Sequence, residues 1–163
     1  MRALQETVLD GTFTSADLGV KMQYPTLWER SDLVKSTPPL TLVVMFLSPR
    51  ETSSDVRENV NLVTEKLPSA LTLPEYTDLG IAIERGFFSQ YTLRISDDIV
   101  IAGVYRSHRV IFTATLSGGK MTFEQIWMVR GKTAYVWTFA DTAEKFDEHV
   151  GTFERMLDTL VMQ

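Results

Sequence analysis

The alternation of apolar and polar residues in the second half of the chain constrains the fold most. Tyr91, Leu93 and Ile95 alternate with polar residues, and the same two-residue period returns in residues 110–116, 121–129 and 135–139. A period of two is typical of β-strands. Glycine-containing segments at residues 117–119 and 130–132 are short enough to be hairpin turns. The pattern predicts that consecutive strands pair as an antiparallel meander.

Two helices are predicted from capping signals that precede apolar stripes. Thr72 and Glu75 have the spacing of a capping box, and Pro74 fits the first turn. A second helix is predicted to be capped by Asp141, with Glu144 three residues later. Spacings of three and four predict that each helix buries one stripe. The stripes are Tyr76, Leu79, Ile83 and Phe87 for the first helix, and Phe146, Val150, Phe153, Leu157 and Leu160 for the second.

The first part of the chain adds further strands around polar turns. Residues 20–24 and 59–67 alternate, whereas residues 40–47 are almost continuously apolar and are predicted to be covered on both faces. We therefore expect an α+β fold, an antiparallel β-sheet with helices packed on it as an α/β/α sandwich. The length of 163 residues fits one domain over 1–163, with residues 1–10 flexible and 48–58 an exposed loop.

Composition excludes several classes of function. The formal net charge of -5 and the scattered basic residues argue against nucleic-acid binding, which requires clustered Lys and Arg. The chain contains no cysteine, which excludes disulfides, thiol nucleophiles, thiolate zinc sites and iron–sulfur clusters. The sequence carries no phosphate-binding loop, zinc-protease or serine-hydrolase motif. No cofactor is predicted.

The sequence shows neither an export signal nor an apolar run long enough to cross a membrane. A cytoplasmic protein is therefore expected for the sequence as written. An extracytoplasmic location is the alternative if an export signal has been trimmed.

Asp97, Asp98 and His108 are the candidate metal ligands, because two carboxylates and an imidazole suit a hard or borderline cation. The competing interpretation is a solvated pair of turn aspartates beside a surface histidine. Arg106 and His108 should share one strand face and could hold a small anion, while Arg109 points to the other face. The alternative is that Arg106, His108 and Arg109 are ordinary charged residues that alternate along a solvent-exposed sheet strand.

Aromatic residues offer a further candidate binding surface. Trp28 follows a turn at Tyr24 and Pro25, and could help to line an apolar ligand pocket. The other tryptophans and the strand tyrosines are more consistent with core packing. The remaining histidine, His149, is expected at the surface, without a carboxylate or serine spaced to make it a base.

Short motifs in the chain resemble the PsbP-like superfamily, whose relatives include photosystem II extrinsic proteins, bacterial DcrB-type proteins and a Ran-binding nuclear-transport factor. The matching segments are Tyr24-Pro25-x-x-Trp28, Asn59-Val-Asn-Leu-Val63, Leu73-Pro-Glu-Tyr76, Tyr135 and the pattern of residues 146–160. The resemblance implies an antiparallel sheet between helices, in proteins that act by binding partners. It carries over no functional residue, since the matching positions are core and turn positions.

Three functions remain open from the sequence. The favoured one is a non-catalytic binding or accessory module for a protein partner or a small ligand. The second is an enzyme without a recognisable motif, or a metal-binding protein, that uses Asp97, Asp98, His108 and Arg106. The third is a chaperone-like domain that holds an apolar client segment, which exposed aromatic residues around Trp28 would support.

Overall fold

A computed structural model describes residues 6–32, 35–49 and 56–163. Two helices and eleven strands are present in these ranges. The helices are α1 (Leu73–Phe87) and α2 (Phe146–Asp158). The strands are β1 (Gly11–Ser15), β2 (Val20–Tyr24), β3 (Glu29–Ser31), β4 (Lys35–Thr37), β5 (Leu40–Leu47), β6 (Asn59–Lys66), β7 (Ser89–Ile101), β8 (Tyr105–Leu116), β9 (Gly119–Arg130), β10 (Thr133–Thr142) and β11 (Val161–Met162).

Eight strands form one antiparallel sheet in the order β3-β5-β6-β10-β9-β8-β7, with β4 paired to β5. The four strands β7 to β10 are the predicted meander, joined by turns at residues 102–104, before Gly119 and at Gly131. Both turn glycines have positive φ, 113° and 61°, which explains why glycine is found there. A second sheet of β1, β2 and β11 was not predicted, because β11 is only two residues long.

The large sheet buries a core on each face. The α1 face carries Val110, Phe112, Phe123 and Trp127 under helix α1. The α2 face carries Phe46, Leu62, Trp137 and Phe139 under α2 and the small sheet. Successive residues of a strand point to opposite faces, so β10 supplies both cores. This arrangement confirms the predicted α+β sandwich, with helices on both sides of an antiparallel sheet.

Helix α1 begins as predicted but buries a different stripe. The Thr72 side chain accepts from the Glu75 N–H at 3.3 Å, and the Glu75 side chain accepts from the Thr72 N–H at 2.8 Å. Of the four residues predicted to be buried, Tyr76 is buried, whereas the other three are exposed. The helix packs on the sheet through Tyr76 and Gly80, where a Cβ would come within 2.7 Å of the Trp127 ring. The close approach at Gly80 turns the predicted stripe towards solvent.

The predicted cap of α2 is wrong, although its buried stripe is confirmed. The helix starts at Phe146, its N-cap is Lys145, and no side chain caps it. Asp141 lies in β10 instead and accepts from the Thr142 N–H at 2.7 Å. Phe146, Phe153 and Leu157 are buried as expected. The pairing of β10 with β9 extends through Thr142, which keeps Asp141 out of the helix.

Strand β5 is less covered than its apolar sequence predicts. Only Val44 and Phe46 are buried, and Leu40 is 46% exposed. A register shift between Leu42 and Val44 interrupts the pairing with β6, and the short strands β3 and β4 pair with the two ends of the other edge. Most of the predicted loop over 48–58 and half of the N-terminal segment lie outside the described residues. Within the described ranges, neither helix is long and apolar enough to span a membrane.

A carboxyl group is buried on the α2 face of the sheet. Glu124 lies between Ile111 and Phe139 on the neighbouring strands, and 2% of the residue is exposed. Its Oε2 has no hydrogen-bond partner among the described residues. Burial raises the pKa of Glu124 to about 7, with Glu154 adding to the shift. Burial also raises the pKa of Glu84 in α1 to about 7.

These two carboxyl groups predict that the protein loses stability as the pH rises from about 5 to about 7. In this window the folded state keeps protons on Glu84 and Glu124 that the unfolded chain has released. Chemical denaturation at several pH values measures the slope. The slope of the free energy of unfolding against pH should be smaller in Glu124→Gln, while the part of the slope due to Glu84 remains. An equally steep slope in the variant would contradict the assignment to Glu124.

Two glycines of α1 give a matched pair for the packing of the helix. Gly80→Ala should lower the free energy of unfolding by about 1–3 kcal/mol, because the new methyl group overlaps the buried Trp127 ring. Gly86→Ala should raise it by about 0.5–1 kcal/mol, because that position is open and alanine favours a helix. Denaturant titration measures both. Equal effects would show that α1 does not rest on Trp127 through Gly80.

Candidate functional site

The most conspicuous surface feature is an apolar stripe on the side of α1 that faces away from the sheet. Leu79, Ile83 and Phe87 are 54%, 68% and 79% exposed, and follow one another at intervals of four residues. Ala82 and Gly86 beside them are also exposed. We call these five residues the outer face of α1. Apolar side chains clustered in this way differ from the scattered exposed residues of an ordinary surface.

The end of the outer face is fixed to the core by neighbouring aromatic rings. Phe87 meets Phe88 edge-to-face at a centroid distance of 5.0 Å. Phe88 in turn packs against Phe112 at 5.1 Å and Phe123 at 5.5 Å on the α1 face of the sheet. Phe87 is therefore exposed while its neighbour in sequence is anchored. The outer face therefore ends next to a ring that is packed into the core.

On the same face of the sheet, three polar residues form a hydrogen-bonded chain. The strand register places Asp98 opposite His108, three residues before the end of β7 and three residues after the start of β8. His108 Nδ1 lies 2.7 Å from Asp98 Oδ1, and His108 Nε2 lies 2.8 Å from Ser96 Oγ. The expectation that the aspartates end a strand next to a turn is wrong, because β7 runs on to Ile101. Ser96 joins the set because it lies two residues from Asp98 on the same face.

Asp97 and Arg109 lie on the opposite face. Asp97 accepts two hydrogen bonds from the Arg109 guanidinium, at 2.9 and 2.7 Å. This pairing lowers the pKa of Asp97. The structure therefore brings Asp98 to His108 but does not bring Asp97 to them, and the three candidate metal ligands do not converge. Arg109 is already engaged by a carboxylate, so it is not a free anion-binding group.

A cleft of about 610 Å³ opens between the first turn of α1 and the hairpin of β7 and β8. Asp98 and Arg106 line it together with apolar residues of the helix and sheet. Its lining residues are Leu73, Pro74, Asp98, Ile99, Val100, Arg106, Ser107 and Val129. The structure thus places Arg106 beside an apolar cavity, next to the carboxylate of Asp98. A ligand with both polar and apolar parts would match this lining.

Trp28 lies in the core and not at the surface. Only 5% of the residue is exposed, and it belongs to the core on the α2 face. The backbone N–H of Trp28 closes the turn after β2 by donating to the Pro25 carbonyl at 3.0 Å. Trp28 is therefore a core residue, and its predicted role in lining a ligand pocket stays a prediction. Leu27 beside it is exposed, but it is not aromatic.

A second polar cluster, which the sequence did not predict, surrounds His149 on the α2 face. His149 Nδ1 lies 2.7 Å from Asp141 Oδ2 and 3.2 Å from Glu58 Oε2. One ligand atom from each of the three residues falls within 4.8 Å of the other two. The expectation that His149 has no carboxylate partner is wrong. The sequence did not predict this cluster because Asp141 has the spacing of a helix cap and Glu58 is distant in sequence from His149.

The comparisons with known proteins bear on the fold. No family model matches the chain, and no curated protein matches it. Cyanobacterial PsbP (CyanoP) from Synechocystis sp. PCC 6803 has a similar structure, with a TM-score of 0.69 and 13% identity over 99% of this chain and 96% of that chain. LpqN of Mycobacterium tuberculosis, involved in cell envelope biogenesis, has a TM-score of 0.66 at 7% identity, over 94% and 90%.

The PA94 protein of Pseudomonas aeruginosa is similar over 94% of this chain and 96% of that chain, with a TM-score of 0.62 and 14% identity. At these identities the similarity concerns the path of the backbone, and it transfers no site residue. The sheet order, the two helices and these superpositions agree with one another. The chain therefore has the PsbP-like fold that its short motifs predicted.

Proposed function

We propose that this protein is a non-catalytic binding or accessory module that contacts a protein partner through the outer face of α1. The observation that carries the proposal is the exposure of Leu79, Ile83 and Phe87 on a helix whose other side packs on the sheet through Tyr76 and Gly80. Removing apolar side chains from water stabilises an interface by roughly 25 cal/mol per Å² of buried area. Within the described part of the chain, the only ring contact of this helix face is that of Phe87 with Phe88.

The spacing of the outer face suits a partner helix. Large residues at 79, 83 and 87 form a ridge along the i, i+4 direction, while Ala82 and Gly86 leave a shallow depression beside it. Ridges of this kind pack into the grooves of a second helix. Recognition of an amphipathic helix by an apolar surface is a common mode of binding between proteins. We therefore expect the partner to offer an apolar helix face.

The similar structures are compatible with this proposal. CyanoP and LpqN share the fold. The proposal for this chain rests on its own surface, since the identities of 13% and 7% carry no functional residue. A small ligand in the cleft beside Arg106 would be compatible with the same accessory role.

A hydrolytic enzyme is the second candidate, favoured by the chain Ser96–His108–Asp98. Its two hydrogen bonds, 2.8 and 2.7 Å long, have the order of nucleophile, base and orienting carboxylate. The arrangement is weaker than that of a hydrolase because the Asp98 side chain is 83% exposed. Water competes for an exposed carboxylate and screens its charge. A binding module is therefore the better supported function.

The binding proposal predicts a cross-link from the outer face to one partner. A photoreactive amino acid in place of Ile83, in cells of the source organism, should give one discrete adduct. Leu79→Ser combined with Phe87→Ser should abolish it, because the apolar contact is lost. Each serine should change the free energy of unfolding by less than about 0.5 kcal/mol, since both side chains are exposed.

Val104 is the matched control for this experiment, because it is 70% exposed and lies at the turn between β7 and β8, which is not part of the outer face of α1. The same photoreactive group at Val104 should give no such adduct. An identical adduct from both positions would show non-specific capture and contradict the proposal. An adduct of twice the chain's mass would identify a second copy of the protein instead of a different partner.

The second candidate predicts that Ser96 reacts with an activated ester. We expect p-nitrophenyl acetate hydrolysis by the protein to equal that of Ser96→Ala, because the exposed Asp98 does little to activate His108. A fluorophosphonate probe should likewise leave Ser96 unlabelled. Faster hydrolysis by the unchanged protein than by both Ser96→Ala and His108→Gln would favour an enzyme over a binding module.

A further inference from the structure

We propose that Glu58, Asp141 and His149 bind one divalent transition-metal ion of the zinc class. The site would join the ends of the paired strands β6 and β10 to the first turn of α2. It lies on the α2 face of the sheet, whereas helix α1, with its outer face, lies on the opposite side. The proposal is therefore independent of the proposed partner contact.

The strand register brings the two carboxylates together. Ala140 of β10 pairs with Asn59 of β6, so one further step along both strands places Asp141 beside Glu58. Asp141 follows Phe139 at the two-residue period, so both point to the α2 face. The Ser48 N–H donates to the Glu58 carbonyl at 3.0 Å, which extends the pairing with β5 to this residue. Both carboxylates are thus attached to paired backbone.

Helix α2 supplies the third donor from above. Phe146, at the start of the helix, packs on Phe139 with a centroid distance of 5.5 Å. His149 lies three residues later, nearly one turn along, and therefore on the same side of the helix. The same packing that fixes α2 on the sheet directs the imidazole towards Asp141. Three elements that are distant in sequence converge at one point.

The distances between the donor atoms suit a metal ion. Ligands at about 2.1 Å from a tetrahedral zinc ion lie about 3.4 Å from one another. The two nitrogen–oxygen distances are 2.7 and 3.2 Å, and the three donors lie within 4.8 Å. Small rotations of the side chains would open the shorter distance to that value. Asp141 is held for this role by its other oxygen, which accepts from the Thr142 N–H.

Charge and burial favour a cation of this class. The side chains of Asp141 and Glu58 are 4% and 14% exposed, and that of His149 is 23% exposed. Two carboxylates drawn together in a half-buried place repel each other, and a divalent cation offsets that repulsion. One imidazole with two carboxylates suits zinc better than magnesium or calcium, which prefer oxygen donors alone. The partial exposure of His149 leaves a route for the ion and for a fourth ligand from water.

Histidine NMR provides a test that needs no variant, because the chain contains only two histidines. The protein is used without a polyhistidine tag. Substoichiometric Mn²⁺, a paramagnetic probe, should broaden the ring signals of His149 and leave those of His108 sharp. Selective broadening of His108, or equal broadening of both rings, would overturn the proposal.

Calorimetric titration measures the affinity and the stoichiometry. Zn²⁺ should bind at one ion per chain and raise the melting temperature, whereas Mg²⁺ at the same concentration should do neither. Asp141→Asn and His149→Gln should each weaken zinc binding by at least about tenfold, because each removes a ligand. His108→Gln is the matched control, since it changes the other histidine that contacts an aspartate, and it should bind as the unchanged protein does.

Unchanged zinc affinity in both Asp141→Asn and His149→Gln would show adventitious binding elsewhere and would overturn the proposal. Failure of the unchanged protein to bind zinc would do the same. If a variant does not fold, the broadening of the histidine signals in the unchanged protein decides. None of these results depends on a cross-link from Ile83, so the metal site and the partner contact can fail separately.

Discussion

The antiparallel pairing of β10 with β6 on one side and β9 on the other is the interaction on which the rest of the structure depends. β10 lies in the middle of the large sheet, and its alternate residues belong to both cores. Trp137 and Phe139 hold the α2 face, while Ala134 and Ala140 leave room on the α1 face. A slip of one residue would exchange these two sets. Because the two sets differ so much in size, the sequence strongly specifies this register.

The same register decides which polar residues meet. Asp98 meets His108 because β7 and β8 place them opposite each other, and Asp97 is carried to the other face by the alternation of the strand. Two neighbouring aspartates therefore have different partners and different environments. The sequence could predict that Arg106 and His108 share a face, since this requires only the two-residue period. The sequence could not predict how far β7 extends, because Asp97 and Asp98 interrupt its apolar pattern although the strand continues to Ile101.

The buried side of α1 could not be predicted from the spacing of apolar residues alone. The spacing of Leu79, Ile83 and Phe87 fits the helical period. The spacing of the residues that pack on the sheet fits it equally well. The deciding contact is Gly80 on Trp127, because the missing side chain lets the backbone approach a large buried ring. A glycine within a helix is usually unfavourable, and the spacing of apolar residues does not show the contact that requires one. The α2 stripe had no such competitor and was predicted correctly.

The clusters of Glu58 with His149 and of Ser96 with His108 have the same physical origin. Each histidine is held by a carboxylate that becomes its neighbour only through strand pairing or helix packing, so the local sequence contains no motif. The fold could be predicted because capping, alternation and turns are local, whereas the sites depend on contacts between distant segments. Similar folds at 7–14% identity preserve the sheet and its two helices. Function in this chain must therefore be decided by what its own residues place on each face of the sheet.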